Sequence, residues 1–260
     1  TRMVIVTHSS NVTGEIFDVD SIGKYCKECG ILFMVDAAQS AGHIPVSMEN
    51  IDVFDANLNF KDVVERKEAH IKGMWHQTFH CWVVNPKNKS ILFQLRSKEK
   101  KNYPDMFDIS AAGHLLSGEK GSDGIREVSE ELGIDLDFDS LYSLGYRVEV
   151  DDQENGQMNR EYQDVYIASV DEDLSRYTPQ KEEVSGLMWM KIDDALSLFS
   201  NAVNRVMMNG IVYNKDKMCW DEVNREVCIS DFIPRIQKYY LTIAIMSERV
   251  LKNQFPVSIS

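Results

Sequence analysis

Three glutamates, Glu127, Glu130 and Glu131, stand at positions i, i+3 and i+4 of a predicted helix. Side chains at these spacings share one helix face, where carboxylates repel one another. A divalent cation would relieve this repulsion, because Mg²⁺ prefers oxygen ligands and keeps positions for water and substrate phosphates. The pattern predicts a site for Mg²⁺ or Mn²⁺, and the alternative is a solvated acidic helix face.

The helix that must carry these glutamates is predicted from Ser122 to Leu132. Ser122 or Asp123 can cap its start, and Gly133 can end it in a left-handed conformation. Apolar side chains recur at i, i+3 and i+7 on the side away from the glutamates: Ile125, Val128 and Leu132. We expect this apolar side to pack on a sheet.

The rest of the second part of the chain alternates strand and helix patterns. A turn at 85–88 joins strands at 76–84 and 90–95 into a hairpin. Further strands are predicted at 107–112, 144–150 and 162–170, and helices at 192–200 and 232–251. Strands with helices packed on them indicate an α+β or α/β sandwich.

The first 53 residues are predicted to form one βαβ unit. Its strands are Met3–Thr7 and 31–35, and its helix runs from Val19 to Cys29. Parallel sheets are normally covered on both faces, which two strands and one helix cannot achieve. We therefore expect a piece of a larger doubly wound fold that does not fold stably alone.

Composition limits the possible partners. The chain has 260 residues, with 28 Lys and Arg against 41 Asp and Glu, so its net charge is −13. This charge excludes a general nucleic-acid binder, and no apolar run approaches the length of a membrane span. A small-molecule diphosphate is the expected partner, and the oligomeric state stays open.

Cysteine usage indicates a reducing compartment. Five cysteines in a chain of this length do not form a disulfide framework, so we expect a cytoplasmic protein. The first residue is Thr1 and no signal peptide follows it. We expect the chain to begin as a fragment or a trimmed piece of a longer sequence.

The stretch from Gly113 to Ile134 resembles the Nudix box. That pattern is a glycine, five residues, a glutamate, seven residues, then Arg-Glu, an apolar residue, any residue, Glu-Glu, any residue, Gly and an apolar residue. Here the second spacer, 120–125, has six residues instead of seven. The resemblance implies metal-assisted hydrolysis of a diphosphate. It also implies a metal site that includes Gly113, Glu119, Glu127, Glu130 and Glu131, and the shorter spacer leaves the placement of Glu119 open.

Beyond the box, residues 54–260 are similar to the Nudix branch that includes isopentenyl-diphosphate isomerases. The similar segments are Glu65-Arg66-x-x-Ala69-His70, Trp75-His76, Leu95-Arg96 with Lys100, Tyr103-Pro104 and Arg160-Glu161-x-x-Asp164. In that branch Arg96 and Lys100 would hold the substrate diphosphate. Residues 96–101 are also the dense basic cluster of an acidic chain, which suits phosphate oxygens, although a solvated lysine-rich loop is the alternative.

The isomerases bind their metal with three histidines and two glutamates, and His70, His76, His114 and Glu161 fall at similar places. We add His76, His114 and Glu161 to the predicted substrate-binding set. His80 is expected to be a satisfied core residue. Glu183 matches a position where Nudix hydrolases place a ligand or a base.

The isomerase resemblance has one clear departure. The cysteine that acts in proton transfer in those enzymes is replaced by Ala112, and a methyl group cannot exchange a proton. Cys81, on a neighbouring predicted strand, is left open as a spatial substitute.

Residues 1–53 resemble the middle of a class V aminotransferase or cysteine desulfurase, through VTHSSNVTGEI and ILFMVDAAQSAGHIPV. The resemblance would place Asp36 against the pyridine nitrogen of pyridoxal phosphate, Gln39 beside the ring oxygen and Asn11 near the substrate. The segment with the Schiff-base lysine does not follow, so the cofactor would have no anchor. We interpret this piece as a structural remnant with no bound cofactor.

The sequence thus predicts a Nudix-type α/β/α sandwich with a mixed sheet and extra C-terminal helices over residues 54–260, preceded by an orphan βαβ fragment over residues 1–53. The expected activity is Mg²⁺-dependent hydrolysis of a nucleoside diphosphate joined to another group, with Glu127, Glu130 or Glu183 as proton acceptor. The alternatives are an isopentenyl-diphosphate isomerase, a nucleotide sensor without turnover and, last, a pyridoxal-phosphate enzyme.

Overall fold

The computed structural model describes residues 1–7, 17–36, 50–152, 156–236 and 238–259. It divides into two compact units, residues 1–49 and 50–260. The helices that it describes are all too short or too polar to cross a bilayer.

The first unit contains strand β1 (Met3–Thr7), helix α1 (Val19–Glu28) and strand β2 (Leu32–Asp36). β1 and β2 pair in parallel, as the βαβ prediction requires. Four apolar side chains on one face of this two-stranded sheet are exposed: Met3, Ile5, Leu32 and Met34. Asn11 and Gln39 lie outside the described residues.

The second unit is built on a sheet of eleven described strands with four helices. In chain order the elements are β3 (Asn50–Phe54), β4 (Phe60–Glu65), α2 (Arg66–Lys72), β5 (Trp75–Asn85), β6 (Ser90–Arg96), β7 (Phe107–Asp108), β8 (Ala111–His114), α3 (Arg126–Leu132), β9 (Tyr142–Asp152), β10 (Met158–Ser169), β11 (Val184–Lys191), α4 (Ile192–Phe199), β12 (Val206–Asn214), β13 (Cys219–Val227) and α5 (Tyr239–Leu251).

The main strand order is β13-β12-β11-β6-β5-β10-β9. β5 also pairs with β3 and β8, while β7 pairs with β6. β10 runs parallel to β5, and the other pairs in this sheet are antiparallel. The sheet is therefore mixed, as predicted.

Two apolar cores lie on the two faces of the sheet. On one face α4 and α5 pack over a cluster that includes Trp82 and Phe93. On the other face α3 inserts Val128 and Leu132 beside Phe79, with Ile125 packed against them. Helices on both faces confirm the α/β/α sandwich and the predicted apolar side of α3.

The division between the units differs from the sequence-based boundary at 53/54. β3 pairs with β4 and β5, and its Ile51 and Val53 are fully buried in the second unit. Residues 50–53 therefore belong to the second unit, because their apolar side chains have a core to enter there.

The C-terminal part also differs from the sequence expectation. Between α4 and α5 lies the hairpin β12–β13, which was not predicted, because the many charged side chains of β13 hide its alternation. α5 begins at Tyr239 instead of at Phe232. Pro234 lies in this interval, and a proline disfavours helical conformation in the residue before it.

Candidate active site

Strand β8 lies at the centre of the site, because each of its last three residues contacts helix α3. The backbone N–H of Ala112 donates to Glu131 Oε2 at 3.0 Å. Gly113 leaves space for Glu127, whose carboxylate would overlap a Cβ at that position. The carbonyl of His114 accepts a hydrogen bond from Arg126 Nη2 at 2.9 Å.

Glu131 and Glu127 are the buried carboxylates of α3. Glu131 also accepts from the amide of Gln94 at 3.2 Å. Burial raises the pKa of Glu131 to about 8, and burial also raises the pKa of Glu127 although Arg126 pairs with it at 2.6 Å. A divalent cation would offset this burial cost, so the donor set fits a metal ion.

Arg126 joins the other acidic side chains. It bonds to Glu119 at 2.9 Å and to Glu130 at 3.2 Å. Glu119 also accepts from the backbone N–H of Leu116 at 2.7 Å. Glu119 therefore lies beside the start of α3 even though the spacer has only six residues. The Glu130 side chain, in contrast, is 54% exposed and points outward.

The spacer region begins as a 3-10 turn over residues 121–125 instead of as the first turn of the predicted helix. The side chain of Asp123 closes this turn on the N–H of Lys120 at 2.8 Å. Gly121 and Gly124 lie so close to Asp164 and Phe79 that a Cβ would clash at either position. The tighter turn lets the chain approach the sheet before α3 begins at Arg126.

A second set of possible metal ligands lies beyond His114. The ligand atoms of His70, His76, His114 and Glu161 all lie within 4.8 Å of one another. These residues come from α2, β5, β8 and β10, so the pairing of the three strands and the packing of the helix bring them together. Among the described residues, this is the group of metal-binding side chains that the structure assembles most closely.

The ring nitrogens of this cluster are oriented for ligation. His70 and His76 use Nδ1 to contact the carbonyls of Arg66 at 2.7 Å and of Met74 at 2.8 Å. His114 Nε2 lies 3.2 Å from His70 Nε2, and the buried Nε2 of His76 has no hydrogen-bond partner. Burial lowers the pKa of both His76 and His114, so these rings are neutral and offer lone pairs to a cation.

The cluster has one carboxylate where the isomerase resemblance implies two. The inward side chain that follows Glu161 on β10 is the amide Gln163, which donates to Glu161 Oε2 at 2.8 Å. Sequence analysis did not single out Gln163, and its position two residues after Glu161 on one strand face was the available signal.

The predicted diphosphate-binding cations occupy different environments. Lys100 forms a close ion pair with Glu183, and the charges of Glu131 and Glu127 also act on it. Arg96 donates to the carbonyls of Asn102 at 3.0 Å and Tyr103 at 3.2 Å. Lys100 therefore lies near the acidic helix, while Arg96 also anchors its own loop.

Arg66 belongs with these cations, although sequence analysis quoted it only within a motif. It starts α2, and its charge acts on His76, His114, Glu127 and Lys100. It is therefore near both the histidine cluster and the acidic helix.

His80 and Cys81, the possible core histidine and the possible substitute for the missing cysteine, are both buried in the core. His80 is buried, and its Nδ1 lies 3.0 Å from the hydroxyl of Tyr239, as expected of a satisfied core residue. Cys81 is paired with Ala111 and packs in the core beneath α3. Ala112 points to the opposite face, beside His80, so Cys81 cannot take the place of the missing cysteine.

Comparisons with known proteins match two parts of the chain to two different families. The NUDIX domain family matches residues 74–209, and the class V aminotransferase family matches residues 1–56. An uncharacterised Nudix hydrolase of Clostridium acetobutylicum is 36% identical over 194 residues, which cover 74% of this chain and 93% of that protein.

Two further relatives match parts of the chain. An isopentenyl-diphosphate Delta-isomerase of Pectobacterium atrosepticum is 27% identical over 148 residues, which cover 56% of this chain and 79% of the isomerase. A cysteine desulfurase IscS of a Shewanella species is 45% identical over 53 residues, which cover 20% of this chain and 13% of the desulfurase.

Proposed function

The chain belongs to the Nudix hydrolase family, and from this premise we propose that its second unit, residues 50–260, hydrolyses a diphosphate linkage in a nucleoside diphosphate joined to another group. The observation that carries the proposal is the position of β8. Its Ala112 and Gly113 contact Glu131 and Glu127, and its His114 joins the histidine cluster. Two donor sets for cations thus meet at one short strand.

The metal is proposed to be Mg²⁺ or Mn²⁺, held by Glu127, Glu130 and Glu131, with Glu119 and Gly113 completing the site. The histidine cluster, with Glu161, suits a second divalent ion, because burial favours the neutral, ligating form of His76 and His114. A bound divalent ion would polarise phosphoryl oxygens and lower the pKa of a water molecule. Lys100 and Arg96 are proposed to hold the diphosphate through charge-assisted hydrogen bonds.

Glu127 is proposed to accept the proton of the attacking water. Its burial raises its pKa, which makes it a stronger base than an exposed carboxylate. Glu183 is the alternative proton acceptor, and its carboxylate is paired with Lys100 as that of Glu127 is paired with Arg126. Glu130 remains available as an outer ligand.

A substrate panel tests the hydrolase against the sensor. Nucleoside diphosphate sugars and dinucleoside polyphosphates should release phosphate, in a phosphatase-coupled assay, with Mg²⁺ and not without it. Binding of the same compounds without release would identify a sensor and contradict the proposal.

An isomerase is the second candidate, favoured by the assembled histidine cluster and by the isomerase relative. Ala112 and Gln163 offer no acidic proton where such an enzyme needs acid and base groups. We expect no deuterium incorporation into isopentenyl diphosphate above background in D₂O with Mg²⁺ or Mn²⁺, followed by NMR. Enzyme-dependent incorporation at the allylic position would contradict this expectation.

The N-terminal unit is proposed to be a remnant without pyridoxal chemistry, because no imine-forming lysine segment follows Asp36. A cytoplasmic setting is proposed as well, and it is supported by five cysteines that are all unpaired.

A further inference from the structure

A row of polar side chains crosses the sheet beside the histidine cluster. Arg147 on β9 pairs in register with Gln163 on β10, Gln163 pairs with Thr78 on β5, and Thr78 pairs with His114 on β8. Partners in register share a sheet face, so these four side chains line one strip. Two residues further along the strands, Glu149, Glu161 and His76 are also paired in register and face the same side. The metal-binding cluster therefore lies directly beside this row.

Two members of the row have buried polar atoms without a partner, namely Arg147 Nε and Thr78 Oγ1. The other nitrogens of Arg147 are used: Nη1 bonds to Glu149 and Gln163, and Nη2 donates to the carbonyl of Ile236 at 2.9 Å. The Arg147 guanidinium also stacks 4.3 Å from the ring centre of Tyr239. A buried donor without a partner costs free energy, which an acceptor on a ligand would recover.

Arg235, from the segment before α5, adds a third unpartnered atom. Its Nη2 donates to Asp108 at 2.6 Å, but its Nε is buried with no partner. The guanidiniums of Arg235 and Arg147 both act electrostatically on His80 and Tyr239, so they lie around the same two side chains. His80 follows Thr78 by two residues on the same face of β5.

The carboxylates of this group are already engaged. Asp108 is shared by Arg235 and Arg96, Glu149 pairs with Arg147, and Glu161 accepts from Gln163. None of these carboxylates is bonded to Arg147 Nε, Arg235 Nε or Thr78 Oγ1, so an oxyanion on a ligand would supply the missing acceptor.

We propose that Arg147, Arg235 and Thr78 bind an oxyanion, a carboxylate or a phosphate, on the group that the substrate carries beyond its diphosphate. This inference rests on the proposed function and names the substrate class more closely. A prenyl chain offers no acceptor to these three donors. The residues are specificity residues, separate from Lys100 and the acidic helix.

Binding of orthophosphate and of malonate to the metal-depleted full chain tests the proposal without turnover. Arg235→Met leaves Asp108 paired with Arg96, and Thr78→Val preserves the side-chain shape, so both variants are expected to fold. By isothermal titration, each should weaken anion binding, by about fivefold for Thr78→Val and roughly tenfold or more for Arg235→Met. The matched control is Ser247→Ala, which removes another buried hydroxyl without a partner and should leave the affinity unchanged.

Lys100→Met separates this site from the diphosphate site. The proposal expects anion binding to persist in Lys100→Met. Loss of anion binding in Lys100→Met, together with unchanged binding in Arg235→Met and Thr78→Val, would overturn the proposal. The proposal is also overturned if neither anion binds the wild-type protein. Phosphate binding without malonate binding would identify a phosphate group as the recognised oxyanion.

A matched substrate pair distinguishes failure of this proposal from failure of the proposed function. UDP-glucuronate and UDP-glucose differ only at C6 of the sugar, where a carboxylate replaces a hydroxymethyl group. The first should have the higher kcat/KM, with the preference reduced in Thr78→Val. Equal hydrolysis of both, together with unchanged anion binding in the variants, would overturn the inference alone. Anion binding at Arg235 and Thr78 without any Mg²⁺-dependent hydrolysis would contradict only the proposed function.

Discussion

At the scale of single residues, burial separates three glutamates that are equivalent in the sequence pattern. Glu131 lies against β8 and Glu127 against Gly113, whereas Glu130 points outward. The two buried carboxylates carry an unfavourable charge that a cation would stabilise, so their contribution to metal binding is expected to exceed that of Glu130.

Glu130→Gln and Glu131→Gln should each lower Mg²⁺-dependent turnover by orders of magnitude while the protein stays folded, because each removes a charge from the proposed metal site. The stability of the helix should change little, because Glu130→Gln loses the pair with Arg126 together with a like-charge pair, and Glu131 already holds a proton in the metal-depleted protein. Phosphate release and circular dichroism measure the two effects. Glu248→Gln, on the solvent-facing side of α5, is the control, and wild-type turnover in both site variants would refute the assignment.

The raised pKa of Glu131 predicts a pH dependence of stability. The folded protein keeps this proton up to a pKa of about 8, while the unfolded chain loses it near 4.5. The folded state therefore binds more protons in between, and the free energy of unfolding of metal-depleted protein should fall as pH rises through this window and level off above it.

The informative interval is about pH 6.5 to 8. Below it, His76, His80 and His114 act in the opposite direction because burial lowers each pKa, and Asp164, with a pKa of about 6, also titrates. Urea unfolding at several pH values should show a flatter slope in Glu131→Gln than in wild type. Equal slopes would mean that Glu131 is not the group responsible.

At the scale of elements, the site depends on how closely β8 approaches α3. Gly113 has no Cβ, and the space where one would lie is filled by the Glu127 carboxylate. Two consecutive residues of β8 therefore contact α3: Ala112 donates to Glu131, and Gly113 lies against Glu127.

Gly113→Ala should displace Glu127 and lower kcat at least about tenfold, with the fold retained, since a misplaced catalytic group of this size commonly costs that much. Combining it with Glu127→Asp, which shortens the side chain, should cost less than the sum of the two single changes. Strictly additive losses in a double-mutant cycle of kcat/KM would show that the two residues do not compete for space.

At the scale of the whole molecule, the chain consists of two units whose sequences match different families. The NUDIX match lies inside the second unit, while the aminotransferase match runs through the first unit and continues to residue 56. The match thus extends beyond the first unit into β3, which structurally completes the second. A boundary drawn from resemblance and one drawn from packing need not coincide.

This difference can be measured by truncation. A chain that starts at Asn50 should keep the stability of the second unit and its turnover. A chain that starts at Phe54 loses Ile51 and Val53 from the core and should be less stable by at least about 3 kcal/mol, the range for removing large buried side chains. Urea unfolding compares the two, and equal stability would support the boundary at 53/54.

The sequence alone determined the elements and residues whose signals are local. The periodicity of residues 122–132 identified the apolar side of α3, and Gly133 marked its end in the left-handed conformation that the structure has. The hairpin of β5 and β6 and the βαβ unit followed from short-range patterns. Local patterns are readable because helix and strand periods repeat within a few residues.

Only the tertiary structure decided which of those residues meet. His70, His76, His114 and Glu161 lie on four elements, and the pairing of β5 with β8 and β10 closes the cluster. The exposure of Glu130 and the strip from Arg147 to Thr78 also depend on long-range pairing. Register, burial and the environment of a charge are set by contacts between distant segments, and no local pattern in the sequence encodes them.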